Sequence, residues 1–423
     1  MITRIELYNY RLFSKVDIPL TEYQVFAGAN GSGKSTLLDI PILLGDLLTS
    51  RKIGDAFLKP TESRKSSRSK TFKEIVHCTQ GNHFTIVVEI ALPTEVSKLL
   101  LEVIPIRLAK NPPNHLRYEL QFEIFNDDQL QVGGEYLGFF AGGEGKHPHG
   151  CGVLADILPK PPKFWLPIIF RKRGDVTKVF PEGKGKQLGY IFGPEQIALA
   201  NIPYDRKLFP ATTWFQDFLR DQTRFFQPGL NTLKEPSPPG KHDELDRDGS
   251  NLAWFLLDLE KKDPDGYAEW VEHVHQTLPQ IKALGARERE DDHHAYLWVE
   301  YEGGYELSGP SLSDGTLRII GYTALPFITY QPRTLVIEEP ENGVHPRAVE
   351  FILDALKAMH DSQVMVTTQS PIVLAQTERK NVMCMRRGEG SEVNVVPGLE
   401  HPHLQDWQGK IDLGSLFAAG VLE

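Results

Sequence analysis

Apolar and polar positions alternate from the first residues on. Ile2, Ile5 and Leu7 stand among Thr3, Arg4 and Glu6, and this predicts strands over residues 2–8 and 16–25, the second interrupted near Leu20-Thr21-Glu22. Tyr23-Gln24-Val25-Phe26-Ala27 reads as a short buried strand, and Thr36-Leu37-Leu38-Asp39-Ile40 opens an apolar helical run to about residue 48. Residues 59–70 are basic and polar without an apolar period, which predicts a mobile loop. Alternation resumes over 84–90 and 118–124, the pattern of half-buried antiparallel strands. Residues 133–162 are rich in Gly and Pro and read as loop, and 164–192 as further strands with a turn near Gly174-Asp175.

From about 195 to 285 the apolar spacing becomes three and four. Helices are expected at 213–219 and 252–259, the latter preceded by the capping residues Ser250 and Asn251. Strands return at 296–300, 334–337 and 363–368. Neither an internal repeat nor a sustained heptad pattern is present, so no long coiled-coil arm is expected.

Chemistry concentrates at the first strand-to-helix junction. Gly28-Ala29-Asn30-Gly31-Ser32-Gly33-Lys34-Ser35 matches G-x-x-x-x-G-K-[ST]. The backbone N–H groups from Asn30 through Gly31, Ser32 and Gly33 to Thr36, with the helix N-terminus, form an anion cradle. In such a loop Lys34 reaches the β- and γ-phosphates and the Ser35 hydroxyl ligates Mg²⁺. The residues thus point to a nucleoside triphosphate. Far downstream, Thr334-Leu335-Val336-Ile337 ends in Glu338-Glu339, where a buried strand would deliver one acid to the metal and one to the attacking water. Glu338 is the metal-ligand candidate, although Asp is usual there, and Glu339 the general-base candidate. Ser311-Leu312-Ser313-Asp314-Gly315-Thr316, about 25 residues before the acid pair, supplies a hydroxyl and a glycine N–H at a second helix start.

These segments, with Glu338-Glu339-Pro340-Glu341-Asn342-Gly343-Val344-His345-Pro346 and Thr367-Thr368-Gln369-Ser370-Pro371, resemble the stand-alone RecF/SMC-like ABC ATPases. That AAA-type group is related to OLD-family ATPase domains but lacks their Toprim nuclease. Asn9-Tyr10-Arg11 resembles the element that places an arginine, here Arg11, beside the nucleotide. Asp248-Gly249-Ser250-Asn251-Leu252-Ala253 resembles a further motif, and the likeness reaches Leu413-Gly414-Ser415-Leu416; residues 50–195 match in pattern only.

The resemblance implies an α/β fold: an ABC-type P-loop NTPase head with a mixed core sheet, an antiparallel β lobe and an inserted helical lobe. One head would fill 1–423, with strands and phosphate loop in 1–50, a β-rich lobe in 51–195, a helical insertion in 196–290, and signature, acid pair and switch in 291–423. It also implies ATP and Mg²⁺ as ligands. Ser313 and Gly315 of one subunit would complete the γ-phosphate site of another in a homodimer or larger homo-oligomer. The switch position, commonly His, is Gln369. An amide can hydrogen-bond phosphate or water but cannot shuttle a proton, so slow or partner-stimulated hydrolysis follows from Lys34, Glu339 and Gln369.

Composition narrows the reading. The 423 residues fit two or three domains, or one large one, and 40% hydrophobic with 24% charged residues is ordinary globular usage. No run of about 18 apolar residues exists, the N-terminus lacks a signal-peptide core, and Cys78, Cys151 and Cys384 lie far apart. A cytoplasmic protein without membrane contact is expected. The net charge of −10 argues against a uniformly basic nucleic-acid binder. Residues 64–73 and Arg171-Lys172-Arg173 read either as phosphate-backbone contacts for DNA or RNA or as solvated loops. His147-Pro148-His149-Gly150-Cys151 has no fourth metal ligand at useful spacing, and His293-His294 reads as a solvated turn.

About 50 residues follow Pro371, too few for a nuclease domain, and Asp406 and Asp412 do not form its acid pair. A nuclease or toxin effector would be a separate subunit. The favoured function is an ATP-gated dimeric switch in nucleic-acid transactions, in DNA repair or anti-phage defence. The alternative is a non-hydrolysing ATP-binding scaffold that regulates a toxin or nuclease. A transporter motor is disfavoured by the roughly 280 residues between phosphate loop and signature.

Overall fold

The computed structural model describes all residues except 105–111, 143–164, 184, 241–244, 329–331, 389–391, 406, 408, 410 and 423. The His147 to Cys151 segment and Asp406 lie outside the described residues.

Strands β1 (Ile2–Tyr10) and β2 (Phe13–Pro19) pair antiparallel, while β3 (Tyr23–Ala27) belongs to another sheet. The expected strand over 16–25 is thus split, because the polar break at Thr21-Glu22 separates different sheets, and the short strand read at Tyr23–Ala27 stands by itself. The β1–β2 sheet continues through β4 (His83–Ala91), β5 (His115–Phe125), β6 (Gln129–Phe140), β7 (Leu166–Lys172), β8 (Thr177–Val179) and β9 (Leu188–Tyr190), in the order β2-β1-β4-β5-β6-β7-β8-β9. β6 corrects a loop expectation: Gly133, Gly134 and Gly138 do not stop Tyr136, Phe139 and Phe140 from pairing along β5.

β10 (Thr223–Phe225) follows. β11 (Ile281–Glu288), β12 (Ala295–Tyr301) and β13 (Glu306–Ser308) form a small antiparallel sheet. β14 (Thr334–Glu338), β15 (Gln363–Thr368), β16 (Val382–Arg387) and β17 (Val393–Pro397) complete a sheet of order β10-β14-β15-β3-β16-β17. Its pairs β14–β15, β15–β3 and β3–β16 are parallel. β15 is buried at every position, as a central parallel strand covered on both faces must be. The fold is α/β with mixed parallel and antiparallel sheets.

The chain divides into two compact units, Met1–Thr21, Gly31–Thr223 and Met385–Val396 in the first, Glu22–Asn30, Arg224–Cys384 and Pro397–Glu423 in the second. In the first unit, the helix Lys34–Thr49 carries Leu37, Leu38, Leu43, Leu44 and Leu47 into the interior. Its Gly45 allows close approach of the helix Pro210–Arg220, since a Cβ there would run into the Leu219 carbonyl oxygen. Phe84 stacks on Phe122 with ring centroids 4.7 Å apart, and Phe57 meets both edge-on.

The half-buried expectation for β4 and β5 fails at Glu89, Arg117 and Glu119, all fully buried. Arg117 Nη1 donates to Glu6 Oε1 at 2.5 Å and to Glu89 Oε1 at 2.7 Å, and its Nε to Glu119 Oε1 at 2.7 Å. Three carboxylates around one guanidinium let the polar face of these strands be covered.

In the second unit the parallel strands sit in one core with Leu252, Leu256, Trp270, Leu317, Ile320, Leu335, Ile337, Ile352 and Val366. Its helix Leu252–Lys262 falls where the three-four spacing placed it, and a second helix, Pro264–Thr277, follows. Asn251 occupies the cap position, but its Oδ1 accepts from the Asp246 N–H at 2.8 Å and leaves the helix end without a side-chain cap.

Candidate functional site

In the first unit the phosphate loop turns through Gly31 (φ +77°) and Gly33 (φ +88°) into the helix Lys34–Thr49. Gly33 is required twice: its backbone is left-handed, and a Cβ would lie 2.6 Å from Phe13 Cζ. The helix N-terminus has no side-chain cap. Ser32 is buried with its hydroxyl unpartnered, Lys34 is buried, and Ser35 is exposed in the first turn. An uncapped helix start, an orphaned hydroxyl and a glycine-only backbone fit a bound phosphate chain. Asn30 ends the preceding segment, exposed to solvent.

Arg11 is held from three sides, with left-handed backbone (φ +51°). Its N–H donates to Ile75 O at 2.7 Å, its carbonyl faces His77 Nδ1 at 3.0 Å, and its Nη2 donates to Arg68 O at 2.5 Å. Arg68 overturns the solvated reading of the basic tract. Its guanidinium is buried and donates to Asp39 at 2.7 and 3.0 Å, to Asp46 at 2.6 Å and to Ala56 O at 2.8 Å. Burial works against this charge, and Asp39 and Asp46 more than offset it, so its pKa rises. Both aspartates lie on the helix that the phosphate loop opens. Arg171 is likewise turned inward, donating to Gln196 O at 2.5 Å and Gly193 O at 2.9 Å. Neither arginine is presented to an external phosphate. His293 is exposed, with Nδ1 2.7 Å from Glu288, as a solvated turn requires.

In the second unit β14 delivers Glu338 as its last residue, in register with Thr367 of β15. Glu339 follows with φ +43°, a left-handed conformation costly for a side chain this long, fixed by its N–H donating to Thr367 O at 3.0 Å. Pro340 starts a turn closed by Asn342 N–H to Glu339 O at 3.1 Å. The turn brings Asn342 Nδ2 to Glu339 Oε2 at 2.7 Å, while Gln369 Nε2 donates to Glu339 Oε1. Glu341 Oε1 accepts from Thr368 Oγ1 at 2.6 Å and from the Gln369 N–H at 3.2 Å. Burial pushes the Glu341 carboxyl up, against the Thr368 hydrogen bond and with help from the Glu339 charge.

Ser313 caps the helix Asp314–Thr323, its Oγ accepting from the Thr316 N–H at 3.1 Å. Asp314 pairs with Lys234 at 2.7 Å, and a Cβ on Gly315 would stand 3.1 Å from Gly343 O. The structure thus brings Glu339 and Gln369 together and sets Gly315 beside the turn that follows the acid pair. Glu341 and Asn342 had no role assigned from sequence. The signal was their place one and two residues after Pro340, in a turn that must fold back on Glu339.

Two family models match the sequence. The "AAA ATPase domain" covers residues 1–95, and "AAA domain, putative AbiEii toxin, Type IV TA system" covers residues 194–375. No curated protein matches it. Among solved structures, an SMC head bound to the C-winged helix domain of ScpA is 13% identical, with a TM-score of 0.51 over 93% of this chain and 97% of that one. An SMC head with an extended coiled coil bound to the C-terminal domain of ScpA, derived from Pyrococcus furiosus, is 11% identical at TM-score 0.48, covering 93% and 95%. The SMC head domain from Thermotoga maritima is 10% identical at TM-score 0.42, covering 94% and 98%. At such identities the likeness is one of fold. It is the fold of an ABC-type ATPase head; the first model includes residues 28–35, and the second includes residues 313–316 and Glu338-Glu339. Among the described residues no helix is long and apolar enough to cross a membrane.

Proposed function

We propose, for a chain with AAA-type ATPase sequence and the fold of an SMC head, that it binds ATP with Mg²⁺, hydrolyses it slowly and works as an ATP-gated dimeric switch. Lys34 and Ser35 hold the triphosphate and its metal, Glu338 supports the metal, Glu339 is the general base, and Arg11 lies beside the nucleotide. Ser313 and Gly315 of a second copy close the site. The observation that carries the reading is the Glu339 carboxylate, both of whose oxygens accept amide hydrogen bonds, from Asn342 and Gln369. An amide orients a carboxylate without neutralising it, which suits a base waiting for a substrate water.

The output of the switch is a separate effector. The family model over residues 194–375 carries the name of a toxin of a type IV toxin–antitoxin system, and this favours a toxin or nuclease partner in defence over a transporter. DNA or RNA is the expected target of the effector. One observation favours the scaffold reading: Gln369 stands at the switch position and occupies the base.

The test is ATP turnover of the native chain and of Glu339→Gln, with light scattering of the variant in ATP and Mg²⁺. Turnover should fall about a hundredfold or more with nucleotide binding kept, and the variant should accumulate as a dimer. Identical negligible rates would favour the scaffold, and a persistent monomer would sink the dimeric switch.

A further inference from the structure

Arg11 lies in the tight turn between β1 and β2, and its left-handed backbone is costly for a side chain this large. Such a conformation persists only where the surroundings hold it. Here its N–H and carbonyl are taken by Ile75 and His77, and its guanidinium lies over the Tyr10 ring at 5.8 Å. Its Nη2 donates to the main-chain carbonyl of Arg68, 57 positions on in the chain.

Arg68 is fixed in turn by the helix that the phosphate loop opens. Its Nε and Nη2 grip both oxygens of Asp39, and its Nη1 reaches Asp46 and Ala56 O. Arg64 Nη1 joins Asp39 at 3.2 Å. Asp39 stands one turn beyond Ser35, and Asp46 two turns further on. The main chain is anchored as well, the N–H groups of Arg68 and Ser69 donating to Phe57 O at 2.9 and 3.0 Å. The Tyr10 hydroxyl stands among the same charges, those of Arg11, Asp39 and Arg68. All of these residues belong to the first unit.

A buried ion pair is often no more stabilising than apolar side chains of the same volume, so stability alone is a poor account of Arg68 between two aspartates. What a guanidinium adds is a fixed position, because its planar fork takes a carboxylate at two points. We propose that Arg68 is a positioning residue for the nucleotide site: gripped by Asp39 and Asp46, its carbonyl holds Arg11 at a set place relative to Lys34 and Ser35, so that the two arms of the site meet one triphosphate. Arg68 touches no nucleotide in this scheme, and the aspartates act on the ligand only through it.

The proposal rests on the reading that Arg11 lies beside ATP, and a double-mutant cycle separates the two. A fluorescent ATP analogue with Mg²⁺ is titrated into the native chain, Arg11→Ala, Asp39→Asn and the double variant. Asn keeps the size of Asp39 and loses the charge that grips Arg68. Asp39→Asn should weaken binding about tenfold, the worth of one charge-assisted hydrogen bond, and should weaken it no further once Arg11 is replaced. Tm should fall equally in both backgrounds, since the grip on Arg68 does not need Arg11. Should Asp39→Asn not fold, Arg68→Lys, which keeps a cation between the aspartates without the two-point grip, enters the same cycle with the same expectation. Weakening by one factor with and without Arg11 would make the grip purely structural and overturn the proposal, as would native affinity in the single variant. Arg11→Ala with native affinity would overturn it too, while leaving ATP binding in place. A native chain that does not bind the analogue would overturn both readings.

Discussion

A buried carboxylate cluster in the first unit and a half-buried one in the second are held in opposite ways. In the first unit Glu6, Glu89 and Glu119 surround Arg117, and Glu6 stays below the usual carboxylate range because burial is outweighed by the guanidinium. In the second unit Glu339 and Glu341 face amides and hydroxyls, and Glu341 is pushed up by burial. A guanidinium neutralises its partners and fixes them in one arrangement. Amides and hydroxyls leave the charge in place and its geometry adjustable. The first cluster therefore reads as architecture, and the second, which is half-buried, suits the machinery proposed for it.

The contrast can be broken most forcefully at Arg117. Arg117→Met leaves three carboxylates buried without their cation and should cost about 3–5 kcal/mol, seen as a large fall in Tm or in the denaturant midpoint. A variant that melts like the native chain would remove the architectural reading.

Next in size is Glu182, a third kind of case, fully buried and bonded to the N–H groups of Ala211 at 2.9 Å and Thr212 at 2.6 Å. Burial raises its pKa from 4.5 to about 7, against those hydrogen bonds. The folded state then holds this proton more tightly than the unfolded chain, so stability declines as pH rises from about 4.5 to 7 and levels off above. Glu182→Gln should leave Tm at pH 4 nearly unchanged and raise it at pH 8, where the variant gains a few kcal/mol of stability at most, from about 1.4 kcal/mol per pH unit. Parallel melting curves for variant and native chain would refute the shift. The smallest effect belongs to Asn342→Ala, which removes one amide from Glu339. It should lower kcat severalfold with Tm and ATP affinity kept, about 1 kcal/mol of orientation. No change in kcat would mean that Gln369 alone orients the base.

What could be read from the chain beforehand follows the range of the interactions involved. The strand–glycine turn–helix at residues 23–49 and the strands β14 and β15 were legible because each declares itself within a few consecutive residues. Arg68 was misread for the opposite reason: its partners Asp39 and Asp46 stand 29 and 22 positions earlier, on a helix, and a basic tract viewed alone looks solvated. Arg117 and Glu6 are 111 positions apart, so the alternation in β5 assigned the polar side to water when an ion cluster had taken it inside. Glu341 and Asn342 were visible as residues but not as parts of the site, since their roles depend on how the turn after Pro340 folds back.

The nine residues Glu22–Asn30 have a consequence for how this protein can be cut or inherited. They supply β3, which sits between β15 and β16, yet in the gene they are separated from the rest of their unit by the whole stretch Gly31–Thr223. No contiguous piece of coding sequence specifies either unit. A fragment begun at Arg224 would leave β15 and β16 as open parallel edges, ready to recruit a strand from another molecule and aggregate. Domain shuffling has no seam to follow between the two units.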